Sequence, residues 1–138
     1  MNYLHKGKLF CLKYEDQNIG YCMVSTGKCG RYTYAGKNDI TVGPIYIKSH
    51  FRGRGLSKVL LNAILEYYAS VEKKEKAYAY IHRINKQSNA LFSGRGFTVQ
   101  RNLQITRVFR KVRITDKENT DYRLYCLNLK DDMRKSAE

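Results

Sequence analysis

The residues best equipped for chemistry stand together at Arg52-Gly53-Arg54-Gly55-Leu56-Ser57-Lys58. Two glycines alternate with arginines, and an apolar helical repeat follows at once. Glycine has no Cβ, so the backbone there can approach a ligand closely and take positive φ. The first turn of a helix presents N–H groups without internal partners, at the positive end of the dipole. An oxyanion placed there is held by amides and dipole together, and Arg52, Arg54 and Lys58 add full charges around it. The combination suits a pyrophosphate better than a single carboxylate. It is not the Walker loop, because Gly-x-x-x-x-Gly-Lys-Ser/Thr cannot be aligned. It is not the dinucleotide fingerprint either, which needs a third glycine and a downstream acid. Taken alone, a Gly-x-Gly turn before a helix also fits a plain basic turn.

A second group of residues changes that balance. The GNAT superfamily of N-acetyltransferases carries a cofactor signature (Gln/Arg)-x-x-Gly-x-(Gly/Ala), and residues 52–57 resemble it at all but the last position, where Ser57 stands. The family's second signature is an Asn, an Ala or Ser three residues on, a Leu-Tyr-like pair and a closing Gly-Phe. Asn85, Ser88, Leu91-Phe92 and Gly96-Phe97 follow it at the family's spacing. The resemblance covers about Ile40 to Arg101. It implies an α/β fold with a mixed sheet, the GNAT-like acyl-CoA N-acyltransferase fold. It also implies an N-terminal shortening, since relatives usually place a strand and two helices before the first hairpin. Acetyl-CoA, or another acyl-CoA, would be the co-substrate, and an amine would attack it directly. By the same resemblance, Ile45, Tyr46 and Ile47 would offer backbone groups to the pantetheine arm. Arg52, Gly53, Arg54, Gly55, Leu56, Ser57 and Lys58 would hold the pyrophosphate. Asn85, with Ser88 and Phe92, would lie towards the reactive end. Plain structural readings stand beside these: a core strand for Ile45–Ile47, a helix N-cap for Asn85. Many relatives carry Tyr at the position of Phe92, where its hydroxyl can protonate the departing thiolate. Phenylalanine cannot, so another group serves, the thiolate leaves unaided, or the chain binds without transferring. The run Val42–Ile47 followed by Phe51–Leu56 is similar to GNAT members that act on surface-polysaccharide sugars, which suggests an amino-sugar acceptor. The acceptor pocket is then open, built from residues 26–39 and the C-terminal strands, or completed by a partner chain, as in a homodimer.

Amine acyl transfer needs a base, and histidine suits that role near neutral pH. His5 lies near the chain start, and His50 adjoins the glycine turn. His82 ends a strand in which alternation puts Tyr78, Tyr80 and His82 on one face, with Ala79 and Ile81 on the other. His82 is the candidate base and Tyr80 the next, against the plainer reading of a histidine packed with tyrosines at a strand end. No Cys–His spacing suggests a nucleophile pair, so no acyl-enzyme is expected.

The bulk composition fits an anionic ligand. Lys and Arg number 26 against 12 Asp and Glu, a net charge of +14. Such an excess attracts phosphates on cofactors, nucleic acids or membranes alike. The alternative to an enzyme is a basic nucleic-acid-binding module, favoured by 12 tyrosines and the run Arg107–Arg113. Against it, no RRM, KH or zinc-finger pattern is present. The 138 residues suit one domain. With no signal-like start and no apolar stretch of about 18 residues, a cytoplasmic protein with no membrane partner is expected. The four cysteines form no C-x-x-C pair, no metal site is indicated, and Cys11 and Cys22 read as small buried hydrophobes.

These residues need elements to hold them. Lys8–Tyr14 and Ile19–Ser25 read as a hairpin around residues 15–18. Residues 26–39 read as a loop, with a candidate short strand at Arg31–Ala35. Ile40–Lys48 reads as a strand interrupted at Gly43-Pro44, where a bulge is expected. Leu56, Val59, Leu60, Ala63, Ile64 and Tyr67 mark one face of a helix from about Gly55 to Ser70. Ala77–His82 reads as a strand, and Lys86–Ser93 as a short helix stopped at Gly94–Gly96. Phe97–Arg101, Ile105–Ile114 and Tyr122–Leu129 read as strands. The charged last nine residues are expected to fray.

Overall fold

The computed structural model describes the backbone of residues 7–28, 34–108, 111–116 and 121–137, and side chains within 7–28, 34–105 and 121–135. Among the described residues, seven strands form one mixed sheet. They are β1 (Gly7–Tyr14), β2 (Gln17–Thr26), β3 (Asp39–Ile47), β4 (Lys76–His82), β5 (Thr98–Val108), β6 (Lys111–Asp116) and β7 (Tyr122–Asn128), in the order β1-β2-β3-β4-β7-β5-β6. The helices are α1 (Leu56–Ser70), α2 (Lys86–Arg95) and α3 (Leu129–Ala137), with one turn of 3₁₀ helix at Ser49–Phe51. The α/β reading with a mixed sheet holds. The first hairpin turns in two residues, Glu15 and Asp16, both at positive φ, which matches the twist of its strands.

The feature that shapes the site is the junction of β3 and β4. They pair in parallel only from Asp39↔Lys76 to Thr41↔Tyr78. Beyond that point no pairing joins them, and the sheet opens. The cause lies in Gly43-Pro44. Against β2, Cys22 pairs with Ile45 but Val24 with Val42, so two residues of β3 face one of β2. This is the expected bulge. Proline cannot donate to a ladder, and an extra residue bends its strand. Gly43 is the tight point: a Cβ there would meet the Met23 carbonyl oxygen at 2.9 Å.

Alternation on β4 divides the core as anticipated. Ala77, Ala79 and Ile81 pack with α1, while Tyr78 packs with Leu103, Leu124 and Cys126, with Tyr80 and Tyr122 against that second cluster. Several expectations are corrected. The buried stripe of α1 is Leu60, Leu61, Ile64, Leu65 and Tyr68, rotated from the face read in the sequence; Val59 is 55% exposed. Cys22 is buried and its thiol is pushed up to about 12 by desolvation, and Cys126 is buried as well, but Cys11 faces outward. The charged end forms the helix α3. Asn128 Oδ1 accepts from the Asp131 N–H, and Asp132 takes a bidentate ion pair from Arg95 at 2.8 and 2.9 Å. The run Ile105–Ile114 is two strands, the end of β5 and most of β6. The candidate strand Arg31–Ala35 lies mostly outside the described residues.

Candidate active site

Two cavities meet where β3 and β4 part. The larger is about 530 Å³ and is lined by Ile45, Tyr46 and Ile47 on one side, and by Phe51, Arg52, Gly53, Gly55, Leu56, Ser57 and Lys58 at its end. Asn85 and Ser88 at the start of α2 close the opposite wall, with Gln87, Ala90 and Leu91. The smaller, about 220 Å³, shares Asn85 and Ser88 and adds Val42, Gly43, Pro44, Tyr80, Ile81, His82, Ile105 and Tyr122. The opening of the sheet is thus one groove with two chambers, joined at the head of α2.

At the outer end, Gly53 and Gly55 sit at φ 78° and 75°, the left-handed region that glycine alone takes at little cost. A Cβ built on either meets nothing within 4 Å, so open space faces both. Gly55 caps α1 with no side-chain hydrogen bond, and Val59 N–H to the Gly55 carbonyl at 3.2 Å is the bond that starts the helix. Among the described residues the amides from Gly53 to Lys58 have no partner. They and the helix dipole form a ready anion cradle. Arg52 is fixed at its edge: Nε donates to the Ile47 carbonyl at 2.8 Å, and the guanidinium lies over the Tyr46 ring at 5.4 Å. Arg54 departs from expectation. It lies against the Phe51 ring at 5.8 Å and does not line the cavity.

At the inner end, Asn85 is the N-cap of α2, its Oδ1 accepting from the Ser88 N–H at 3.1 Å. Both readings of Asn85 are therefore compatible, since it lines the cavities as well. Phe92 is corrected: it is 1% exposed, stacked edge-on to Phe97 at 5.0 Å, and belongs to the core rather than to either cavity. Phe92 lies one turn beyond Ser88 on the face that α2 turns to the sheet, where Phe97 and Tyr125 cover its ring.

His82 and Tyr80 both line the smaller cavity. The His82 ring stands edge-on to Tyr122 at 5.0 Å, and its Nδ1 accepts from the Ile84 N–H at 3.3 Å. A neutral ring so held carries its proton on Nε2. As placed, it offers a donor rather than a basic lone pair. His50 stacks against Phe51 and lines neither cavity, and His5 lies outside the described residues. The side chains of Arg107–Arg113 also lie outside them.

One residue escaped the sequence reading. Asn89 is 8% exposed and uses its whole amide. Nδ2 donates to the carbonyls of His82 (3.0 Å) and Asn85 (2.8 Å), while Oδ1 accepts from Arg123 (3.1 Å) and the Tyr125 hydroxyl. It ties the end of β4 and the head of α2 to β7, and so fixes the wall between the chambers. A polar residue inside a polar-looking helix gave no signal of this; the only clue was its place one turn after Asn85.

Comparison with known proteins agrees with this architecture. The model of the acetyltransferase (GNAT) family matches residues 2–97. The chain belongs to that family. A Bacillus subtilis subsp. natto protein described as a "probable spermine N(1)-acetyltransferase" is 29% identical over 94 residues, which is 67% of this chain and 60% of that protein. Among solved structures, mutant forms of the spermidine/spermine N-acetyltransferase SpeG from Vibrio cholerae superpose with a TM-score of 0.71 at 15% identity, over 98% of this chain and 73% of that one. A GNAT family acetyltransferase from Elizabethkingia anophelis with acetyl-CoA bound gives 0.65 at 16%, over 92% and 79%. At such identities the structures share the fold.

Proposed function

We propose that this chain is an N-acyltransferase that moves an acetyl group from acetyl-CoA to a primary amine by direct attack. The observation that carries the reading is the pair of joined chambers, one ending in open amides and the other in polar side chains. The amides of Gly53 to Lys58 hold the pyrophosphate, with Arg52 and Lys58 adding charge. The edge of β3 at Ile45–Ile47 that faces away from β2 runs alongside the pantetheine arm, because beyond Thr41 the parallel partner strand has turned away. Free strand groups there orient the thioester carbonyl and stabilise the developing oxyanion. The acceptor enters through the smaller chamber and meets the thioester beside Asn85 and Ser88. The acetyl-CoA supplies an activated carbonyl and a thiolate leaving group. With Phe92 in the core, no phenol at that position protonates the thiolate, and coenzyme A thiolate is a tolerable leaving group unaided.

The test is thermal. Acetyl-CoA at about 100 times its Kd stabilises a binding protein by about 2.7 kcal/mol, which raises the melting temperature by several degrees for a chain of this size. Gly55→Glu places a carboxylate in the cradle and should abolish the shift. A melting temperature indifferent to millimolar acetyl-CoA would remove the reading.

A second reading of the acceptor, a polyamine, is favoured only by the names of the Bacillus and Vibrio proteins.

A further inference from the structure

The acceptor itself can be narrowed, on the basis of the transfer reading above. A protonated amine has no lone pair with which to attack, so the proton must leave first. The described residues of the smaller chamber offer little to take it. Among the described residues no carboxylate lines either cavity. The imidazole of His82 has its Nδ1 occupied by the Ile84 N–H. Tyr80, Tyr122 and Ser88 contribute hydroxyls, which are weak bases. What the chamber does supply is donors: the Nε2–H of His82, the hydroxyl of Ser88 and the amide NH₂ of Asn85, whose Oδ1 is already used by the cap. Donors of this kind match oxygen atoms on the acceptor. They give no counter-charge to a second or third ammonium, and the chain as a whole carries +14.

We propose that the acceptor is a small, weakly basic amine whose neighbouring carbon carries oxygen, as in an amino sugar or the α-amine of a peptide or amino-acid amide, and that polyamines are poor substrates. Oxygen on the adjacent carbon does two things. It pairs with the donors, and it withdraws electrons, so that a useful fraction of the amine is already neutral. A simple alkylammonium titrates near 10.4 and an α-amine near 7.8, so at pH 7 about one molecule in 2,500 of the first and about one in seven of the second is free base. A weaker base is also a weaker nucleophile. If about half the difference in basicity is lost in that way, as for thiols, a net advantage of about tenfold remains. The bond-making is balanced without an enzyme base: the free amine adds to the thioester carbon, the carbon–sulfur bond breaks, the thiolate leaves as coenzyme A, and the amine proton passes to solvent or thiolate.

The full chain, acetyl-CoA and four acceptors test this by release of free thiol between pH 6.5 and 9.5. Glucosamine and glycinamide represent the two sources of an oxygen-flanked amine; spermidine and butylamine are the controls. At pH 7 at least one of the first pair should show a kcat/KM about tenfold or more above both controls, and the better of the two identifies the source. Each active acceptor should give a profile rising to the pKa of its own amine. In His82→Gln the rate should fall while that midpoint stays in place. Spermidine equal to or better than the oxygen-flanked amines at pH 7 would overturn the proposal. So would a titration common to all acceptors that disappears in His82→Gln, which would mark His82 as the base. So would silence from both oxygen-flanked amines while acetyl-CoA still raises the melting temperature. Loss of that melting shift is a separate result and overturns the transfer reading itself.

Discussion

Asn89 shows how much a single amide can hold. Its four hydrogen bonds run to two carbonyls, a guanidinium and a phenol on three separate elements. Replacing it with leucine keeps the branched outline and removes all four bonds; the carbonyls of His82 and Asn85 each keep a backbone N–H, whereas the Tyr125 hydroxyl and the Arg123 guanidinium lose their partner. Each stranded polar group costs about 1 kcal/mol or more, so Asn89→Leu should lower stability by roughly 3 kcal/mol in urea unfolding. Asn89→Asp keeps both acceptor bonds and loses the donors, and should lie between the two. Were Asn89→Leu as stable as the parent, the hub would carry no weight. Asn85 was legible because a motif and a capping rule both pointed to it. Asn89 was not, since its partners on β7 come near only once the sheet is assembled. Phe92 failed for the same reason: its place in the motif was correct, but the direction of its side chain is set by Phe97 and Tyr125.

At the scale of elements, the bulge of β3 decides whether there is a site. Pro44 was enough to predict the interruption, because a missing donor is a local property of the residue. What it does to β4 was not local. The loss of β3–β4 pairing after Thr41↔Tyr78 follows from the bend. The α1 stripe was misjudged by about one residue, since the periodicity fixed a helix but Leu61, Leu65 and Tyr68 were chosen by their packing against the sheet. Ile105–Ile114 was read as one strand because it contains no Gly, Pro, Asn or Asp to signal a turn. Gly43→Val tests the bulge directly. Its branched side chain would be forced against the Met23 carbonyl, where even a Cβ comes to 2.9 Å. The strand must shift, and the expected cost is about 2 kcal/mol or more, within the usual range for overpacking. Acetyl-CoA should bind more weakly to the folded variant, because a shift of β3 at Gly43 carries Ile45–Ile47, which line the larger chamber. A variant of parental stability and affinity would show that the groove does not depend on this kink.

Across the whole molecule, charge said that the partner is anionic and nothing more; only the fold gives that charge a place to act. The net +14 draws a polyanion from a distance, whereas the amides of Gly53 to Lys58 hold it at contact. Salt separates the two contributions. The screening length is about 10 Å at 0.1 M salt and about 3 Å at 1 M, so the diffuse attraction fades while hydrogen bonds in the cradle persist. Between 0.05 and 0.5 M sodium chloride the Kd for acetyl-CoA should rise by roughly three- to tenfold and then level off. Arg54 sharpens the comparison, since its guanidinium lies against Phe51 outside the cavity and can act only through its field. Arg54→Ala should weaken binding at low salt, leave it nearly unchanged at high salt and so flatten the dependence, as titration calorimetry at several salt concentrations would show. If binding instead collapsed at high salt in both proteins, the attraction would be diffuse throughout, and the main-chain cradle would not be what grips the ligand.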